Sequence, residues 1–165
     1  MKKALYVATA VLTSSILIRI FLLDSFLVAG NSMAPYLVEG DYVFVDKTAY
    51  WFSKPDRGDV VVGNFRDLEG KKIIKRVVGL PGEWLFIENG NIYVSSGRDS
   101  ERTLVGKLDQ ESFTSTVSTS SRYRLDPHEY YLVGDNGLSS VDSRVLGPVD
   151  IYKIDGRVLT KIRFN

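Results

Sequence analysis

The stretch EWLFIENGNIYV, residues 83–94, decides the fold class. Two runs of alternating, strand-favouring residues flank Asn89-Gly90, the dipeptide best suited to the positive-φ turn of a two-residue β-hairpin. Outward from it the same pattern recurs. DYVFVDK (41–47) alternates apolar and polar residues, and DVVVGNF (59–65) is rich in β-branched side chains. KKIIKRVVGL (71–80) is apolar on both sides of a Lys-Arg pair, and EYYLVGDN (129–136) and GRVLTKIRF (156–164) add two more runs. Short strands punctuated by Gly and Pro predict a mainly β protein, a sandwich or barrel-like body rather than a βαβ sheet. No repeat is visible. Residues 95–122, rich in serine and threonine, predict a polar, solvent-exposed insertion at about 95–125, since such a composition buries little apolar surface.

The chain has 165 residues, enough for one domain with a real core. Its 21 basic and 20 acidic side chains leave a net charge of +1, which argues against a dedicated nucleic-acid binder. There is no cysteine, so disulfides, thiolate metal sites and cysteine nucleophiles are excluded. The single histidine, His128, lies in the polar turn LDPHEYY. It reads as a surface residue and makes a histidine-built metal site or a Ser-His-Asp triad improbable.

The N-terminus differs from the rest. Lys2 and Lys3 precede an uncharged apolar run from Ala4 to Ile18, which Arg19 interrupts and IFLL carries on to Leu23. A bilayer span needs about 20 apolar residues, and the run reaches that length when Arg19 snorkels to the headgroups. Residues 1–24 are therefore expected to form a single transmembrane helix with a cytoplasmic N-terminus. Residues 25–165 then form an extracytoplasmic β-rich domain. A signal peptide cut after Ala29 is the alternative, but the apolar run is longer than a signal's usual 7 to 15 residues and Leu27 is bulky for that cut.

Without a histidine base, lysine is the usual substitute, provided its surroundings disfavour the charged form. Lys75 is the candidate. In a strand, Ile73, Lys75 and Val77 face one way and Ile74, Arg76 and Val78 the other, so Lys75 stands between two β-branched neighbours. An edge gatekeeper or a snorkelling lysine is the structural alternative. The candidate nucleophile is Ser32, in GNSMAPYLVEGD (30–41). Gly30 permits an unusual turn, Pro35 keeps Ala34 out of helical geometry, and Met33 points opposite to Ser32 in extended chain. A third block, GDNGLSSVDSRVLGPV (134–149), places Ser140, Asp142 and Arg144 on one face if extended, with Asp142 able to pair with Arg144 or Arg76. Serine hydroxyls there could orient an amine, and a glycine-rich loop with a structural ion pair is the alternative.

These three blocks, in this order behind an apolar segment, resemble the type I signal peptidases, membrane-bound Ser-Lys endopeptidases. The resemblance runs from the apolar segment to the end of the chain and is weakest across 95–125. It implies Ser32 as nucleophile, Lys75 as general base and Ser140 as the lysine-orienting hydroxyl, supported by Asp142, Ser143, Arg144 and Arg76. It also implies backbone donors at Gly30 and Ser32 for the oxyanion, and apolar pocket walls from Val28, Met33, Leu37 and Ile74. The expected substrates are preproteins, cut after small residues at the first and third positions before the bond, at the bacterial plasma membrane. The lipid bilayer is an expected partner; no metal, cofactor or nucleic acid is implied. The sequence departs from the family's pattern at Tyr36, where threonine is common, and at Gly137-Leu138, where Arg-Asp is usual. Other readings are a self-cleaving repressor of Ser-Lys type, a relative dedicated to one client such as a pilin or conjugation peptidase, and a non-catalytic exported β-domain.

Overall fold

The computed structural model describes residues 2–65, 72–88, 90–107, 120–137 and 140–163, without the side chains of residues 18–20, 107, 120 and 121. A helix α1 (Lys2–Phe21) leads into β1 (Leu23–Leu27) and β2 (Tyr42–Asp46), then β3 (Val60–Gly63) and β4 (Ile73–Gly79). The hairpin β5 (Trp84–Glu88) and β6 (Asn91–Ser95) follows, then β7 (Thr103–Lys107), β8 (Ser120–Arg124) and β9 (Glu129–Val133). A one-turn helix α2 (Ser143–Leu146), a short β10 (Val149–Asp150), a 3-10 turn and β11 (Ile154–Ile162) complete the chain's order.

The strands form two antiparallel sheets, one of seven in the order β1-β2-β11-β3-β4-β9-β10 and one of four in the order β7-β6-β5-β8. The expected hairpin is present, with Glu88 opposite Asn91 and Gly90 at φ +76°; Asn89 itself lies outside the described residues. Apolar side chains from both sheets meet in one cluster, where Val78, Tyr131 and Val133 pack with Leu85, Ile87, Ile92 and Val94. β4 lies inside the larger sheet, with Lys75 opposite Val61 of β3 and Val77 opposite Leu132 of β9. The expected alternation holds: Ile73 and Val77 join one apolar cluster and Ile74 another.

Two expectations change. The stretch 95–125 supplies β7 and β8, the outer strands of the four-stranded sheet. An edge strand is held by ladder hydrogen bonds and needs only one covered face, so its composition can stay polar. Val105 and Tyr123 pack inward from these strands, and residues 108–119 lie outside the described residues. At the N-terminus a 20-residue helix forms, but no helix among the described residues is long and apolar enough to cross a membrane. The helix opens on two lysines, and Thr9, Thr13, Ser14 and Ser15 dilute its apolar run.

Candidate active site

The loop between β1 and β2 holds Ser32. Its base is closed by Val28 N donating to Asp41 O (2.8 Å) and Gly40 N donating to Val28 O (3.0 Å). Met33 and Leu37 are 2% and 0% exposed, so the loop hangs from two apolar anchors. Ser32 is left half-buried between them and the solvent. The Ala34–Pro35 peptide is cis, and Gly30 sits at φ +88°, where a side chain would be strained. Asn136 N donates to the Ser32 carbonyl at 3.0 Å, tying the loop to the segment after β9.

Lys75 reaches Ser32 across 43 positions of sequence, with Nζ 3.0 Å from Oγ. The lysine is only 2% exposed. Burial lowers its amine from the ordinary 10.5 to about 8; Asp142 and Asp135 pull it upward and Arg144 pushes it down. Desolvation is the largest of these effects, as expected of a cation held between β-branched neighbours.

The third block folds differently from its extended reading. Asp142 caps α2, its carboxylate accepting from the Arg144 amide, because an aspartate satisfies the otherwise unpaired N–H groups of a first helical turn. The same carboxylate accepts from Arg144 Nε and a terminal guanidinium nitrogen (both 2.7 Å), from Gly134 N (2.8 Å) and from Ser140 Oγ (2.5 Å). Both members of this ion pair are buried, at 5% and 0% side-chain exposure. Burial alone would raise the Asp142 carboxyl, but Arg144, Gly134 and Ser140 outweigh it and hold it below the usual carboxylate range.

Ser140, Asp142 and Arg144 therefore do converge, though through the carboxylate rather than through a shared strand face. The Ser140 hydroxyl is engaged with Asp142, not with Lys75, and Ser143 Oγ accepts from Leu132 N (3.0 Å), fixing α2 to β9. Arg76 also turns elsewhere. Its guanidinium donates twice to Asp135 (2.8 and 2.6 Å) and once to Gly58 O, and lies 5.0 Å from the Tyr36 ring centroid. Val28, Met33, Leu37 and Ile74 belong to one buried cluster beside the serine. His128 is exposed, as expected of a polar turn.

Gly134 is a residue the sequence reading passed over. A Cβ there would collide with Ser140 Oγ and the Ser32 carbonyl oxygen. The glycine in GDN, directly after the β9 run, is the one sequence signal of this close approach. Asn136 and Asp135, which hold the serine loop and Arg76, carry no sequence signal beyond that same GDN.

A serine hydroxyl within hydrogen-bond reach of a buried amine, backed by a buried ion pair, is an arrangement able to activate an oxygen nucleophile. The family model for signal peptidase, peptidase S26, matches residues 1–162, and the chain belongs to that family. A signal peptidase I from Bacillus amyloliquefaciens is 32% identical over 145 residues, covering 86% of this chain and 72% of that protein. Signal peptidase I U of Bacillus subtilis is 31% identical, covering 87% of this chain and 81% of its own length. Signal peptidase I T of the same organism is 35% identical, covering 79% and 68% respectively. A solved signal peptidase I from Enterococcus faecalis superposes loosely, with a TM-score of 0.43 and 23% identity over 66% of this chain and 98% of that one.

Proposed function

We propose that this chain is a signal peptidase I that removes signal peptides from exported preproteins, with Ser32 as nucleophile and Lys75 as its general base. The observation that carries the reading is the 3.0 Å contact between Ser32 Oγ and an amine that is 2% exposed and held near 8. Neutral Lys75 accepts the proton of Ser32 as Oγ attacks the scissile carbonyl, then gives it to the leaving amine. Water, activated by the same amine, hydrolyses the acyl-enzyme. The backbone amides of Ser32 and Gly30 are the donors for the developing oxyanion, each worth about 2.7 to 4 kcal/mol in comparable sites. Among the described residues, the Ser32 and Gly30 amides donate to no other backbone carbonyl.

Val28, Met33, Leu37 and Ile74 form the apolar floor beneath the nucleophile in this reading. A floor so close to the serine loop leaves shallow pockets, which suit small residues at the first and third positions before the bond. Ser140, Asp142, Ser143, Arg144 and Arg76 hold the surrounding backbone and set the charge around Lys75. The same reading places α1 in the bacterial plasma membrane, with the β-rich domain on the extracytoplasmic face. Its support is that Leu5, Val7, Val11, Leu12, Ile16 and Leu17 are 49–68% exposed, so no protein core covers them. In addition, Thr9, Thr13 and Ser15 each donate to the carbonyl four residues back, satisfying their hydroxyls without water.

Cleavage of a purified preprotein in detergent tests the dyad. Ser32→Ala and Lys75→Ala should each lower kcat by about 10⁴-fold or more with unchanged circular dichroism. Activity within tenfold of wild type in either variant would overturn the assignment.

A further inference from the structure

The turn that follows β2 carries two aromatic side chains into open solvent. Trp51 is 59% exposed and Phe52 99% exposed. This is a built turn. Asp46 Oδ1 accepts from the Thr48 amide (2.8 Å) and hydroxyl (2.7 Å), and Trp51 N donates to Thr48 O (3.0 Å). Tyr50, the third aromatic, turns inward, donating to Asp59 Oδ2 at 2.8 Å and packing on a core cluster. The chain thus sorts Tyr50-Trp51-Phe52 into one residue that is covered and two that are not.

The turn also has a fixed address. Asp46 pairs with Leu23, and Lys47 N donates to Leu22 O (2.9 Å), so the turn sits beside the exit of α1. Phe21, Leu22 and Leu23 at that exit are themselves 58%, 39% and 37% exposed. A solvent-exposed tip of Trp and Phe, bracketed by Lys47 and Lys54 at the level where α1 ends, has the composition of a membrane-interface anchor. A protein partner would be expected to meet a flatter patch or a groove.

We infer that the Trp51–Phe52 turn inserts into the headgroup zone of the bilayer as a second mounting point beside the α1 exit, fixing the tilt of the catalytic domain. One helix exit is a pivot, whereas two contacts set an orientation. Because β1 runs from this mount directly to the Ser32 loop, the tilt sets how far the nucleophile stands from a membrane-held substrate. The inference rests on the reading of α1 as a membrane anchor, and its test separates the two.

The full chain carrying Trp84→Phe, which leaves Trp51 as its single tryptophan, is reconstituted into phosphatidylcholine–phosphatidylglycerol vesicles containing lipids brominated at defined depths. The chain is expected to float with the vesicles, with Trp51 quenched most by bromines nearest the headgroups. Phe52→Ser in that background should lower cleavage of a vesicle-inserted preprotein about fivefold, a fraction of a buried phenyl's transfer effect, while cleavage of a short soluble peptide stays within about twofold. Flotation without quenching would overturn the turn's insertion and leave the anchor standing. Failure to float would overturn both. Equal loss on the soluble peptide would overturn the mounting role, and because Phe52 packs on nothing, its replacement leaves the fold intact for that comparison.

Discussion

Lys75 sits at an interior position of a seven-stranded sheet and is almost wholly buried. The amine's shift from 10.5 to about 8 means that the native state disfavours its charge relative to the unfolded chain by roughly 3 kcal/mol. Below pH 8 both states carry the proton and the native state bears the whole penalty. Between about 8 and 10.5 the unfolded chain still holds a proton that the native state has lost, so stability rises with pH through that window. Lys75→Met should therefore stabilise the fold by on the order of 3 kcal/mol at pH 7 in urea unfolding, with the gain shrinking toward pH 10.5. An equal gain at both ends of that range, or a destabilised variant, would show that the amine is not held by desolvation. This side chain was legible in the sequence because a cation between two β-branched residues conflicts with strand patterning. The partner of Ser140 was not: the choice between Lys75 and an aspartate two residues away depends on side-chain packing that periodicity does not encode.

At the scale of elements, the site is two loops locked together across β4. The serine loop hangs from Met33 and Leu37, and the segment after β9 grips it through Asn136 N and the bare backbone of Gly134. Gly134→Ala has no room against Ser140 and the Ser32 carbonyl, so one of the two loops must move. A displacement of this kind costs on the order of 100-fold in kcat, with the domain still folded by circular dichroism. Preprotein cleavage within twofold of wild type would mean that the serine loop is not held there. The turn α2 was misread as extended because four residues are too few to show a helical period. Asp142 followed by Ser-Arg was its only cap signal. The β5–β6 hairpin was readable because Asn-Gly and alternation agree over twelve residues.

Over the whole molecule, the last strand fastens the first loop. Arg163, just beyond β11, donates at 2.7 and 2.8 Å to both oxygens of Asp41, whose carboxylate also accepts from Val38 N. Asp41 is 1% exposed, and Arg163 holds its carboxyl well below the usual range. A lowered carboxylate adds stability above its unfolded value of 3.8 and loses it as pH falls further. Arg163→Gln should lower Tm at pH 7, and the gap to wild type should narrow by pH 3 in thermal scans; a gap that widens in acid would contradict the pairing. Topology at this scale was the least legible. β1 reads in sequence as the tail of an apolar segment, and β7 and β8 hide in a polar stretch, because an edge strand that turns only a residue or two into the core leaves little trace in composition. The two-sheet body followed from Gly- and Pro-punctuated alternation, whereas the order of strands within it depends on contacts far apart in sequence.

The most direct test of an uncharged Lys75 acting on Ser32 is the pH dependence of kcat/KM for preprotein cleavage between pH 6 and 10. The free enzyme's base must lose its proton to act, so kcat/KM should rise about tenfold per unit below a single apparent pKa near 8 and level off above it. A profile that is flat across this range, or that falls from pH 6 to 9, would contradict the mechanism.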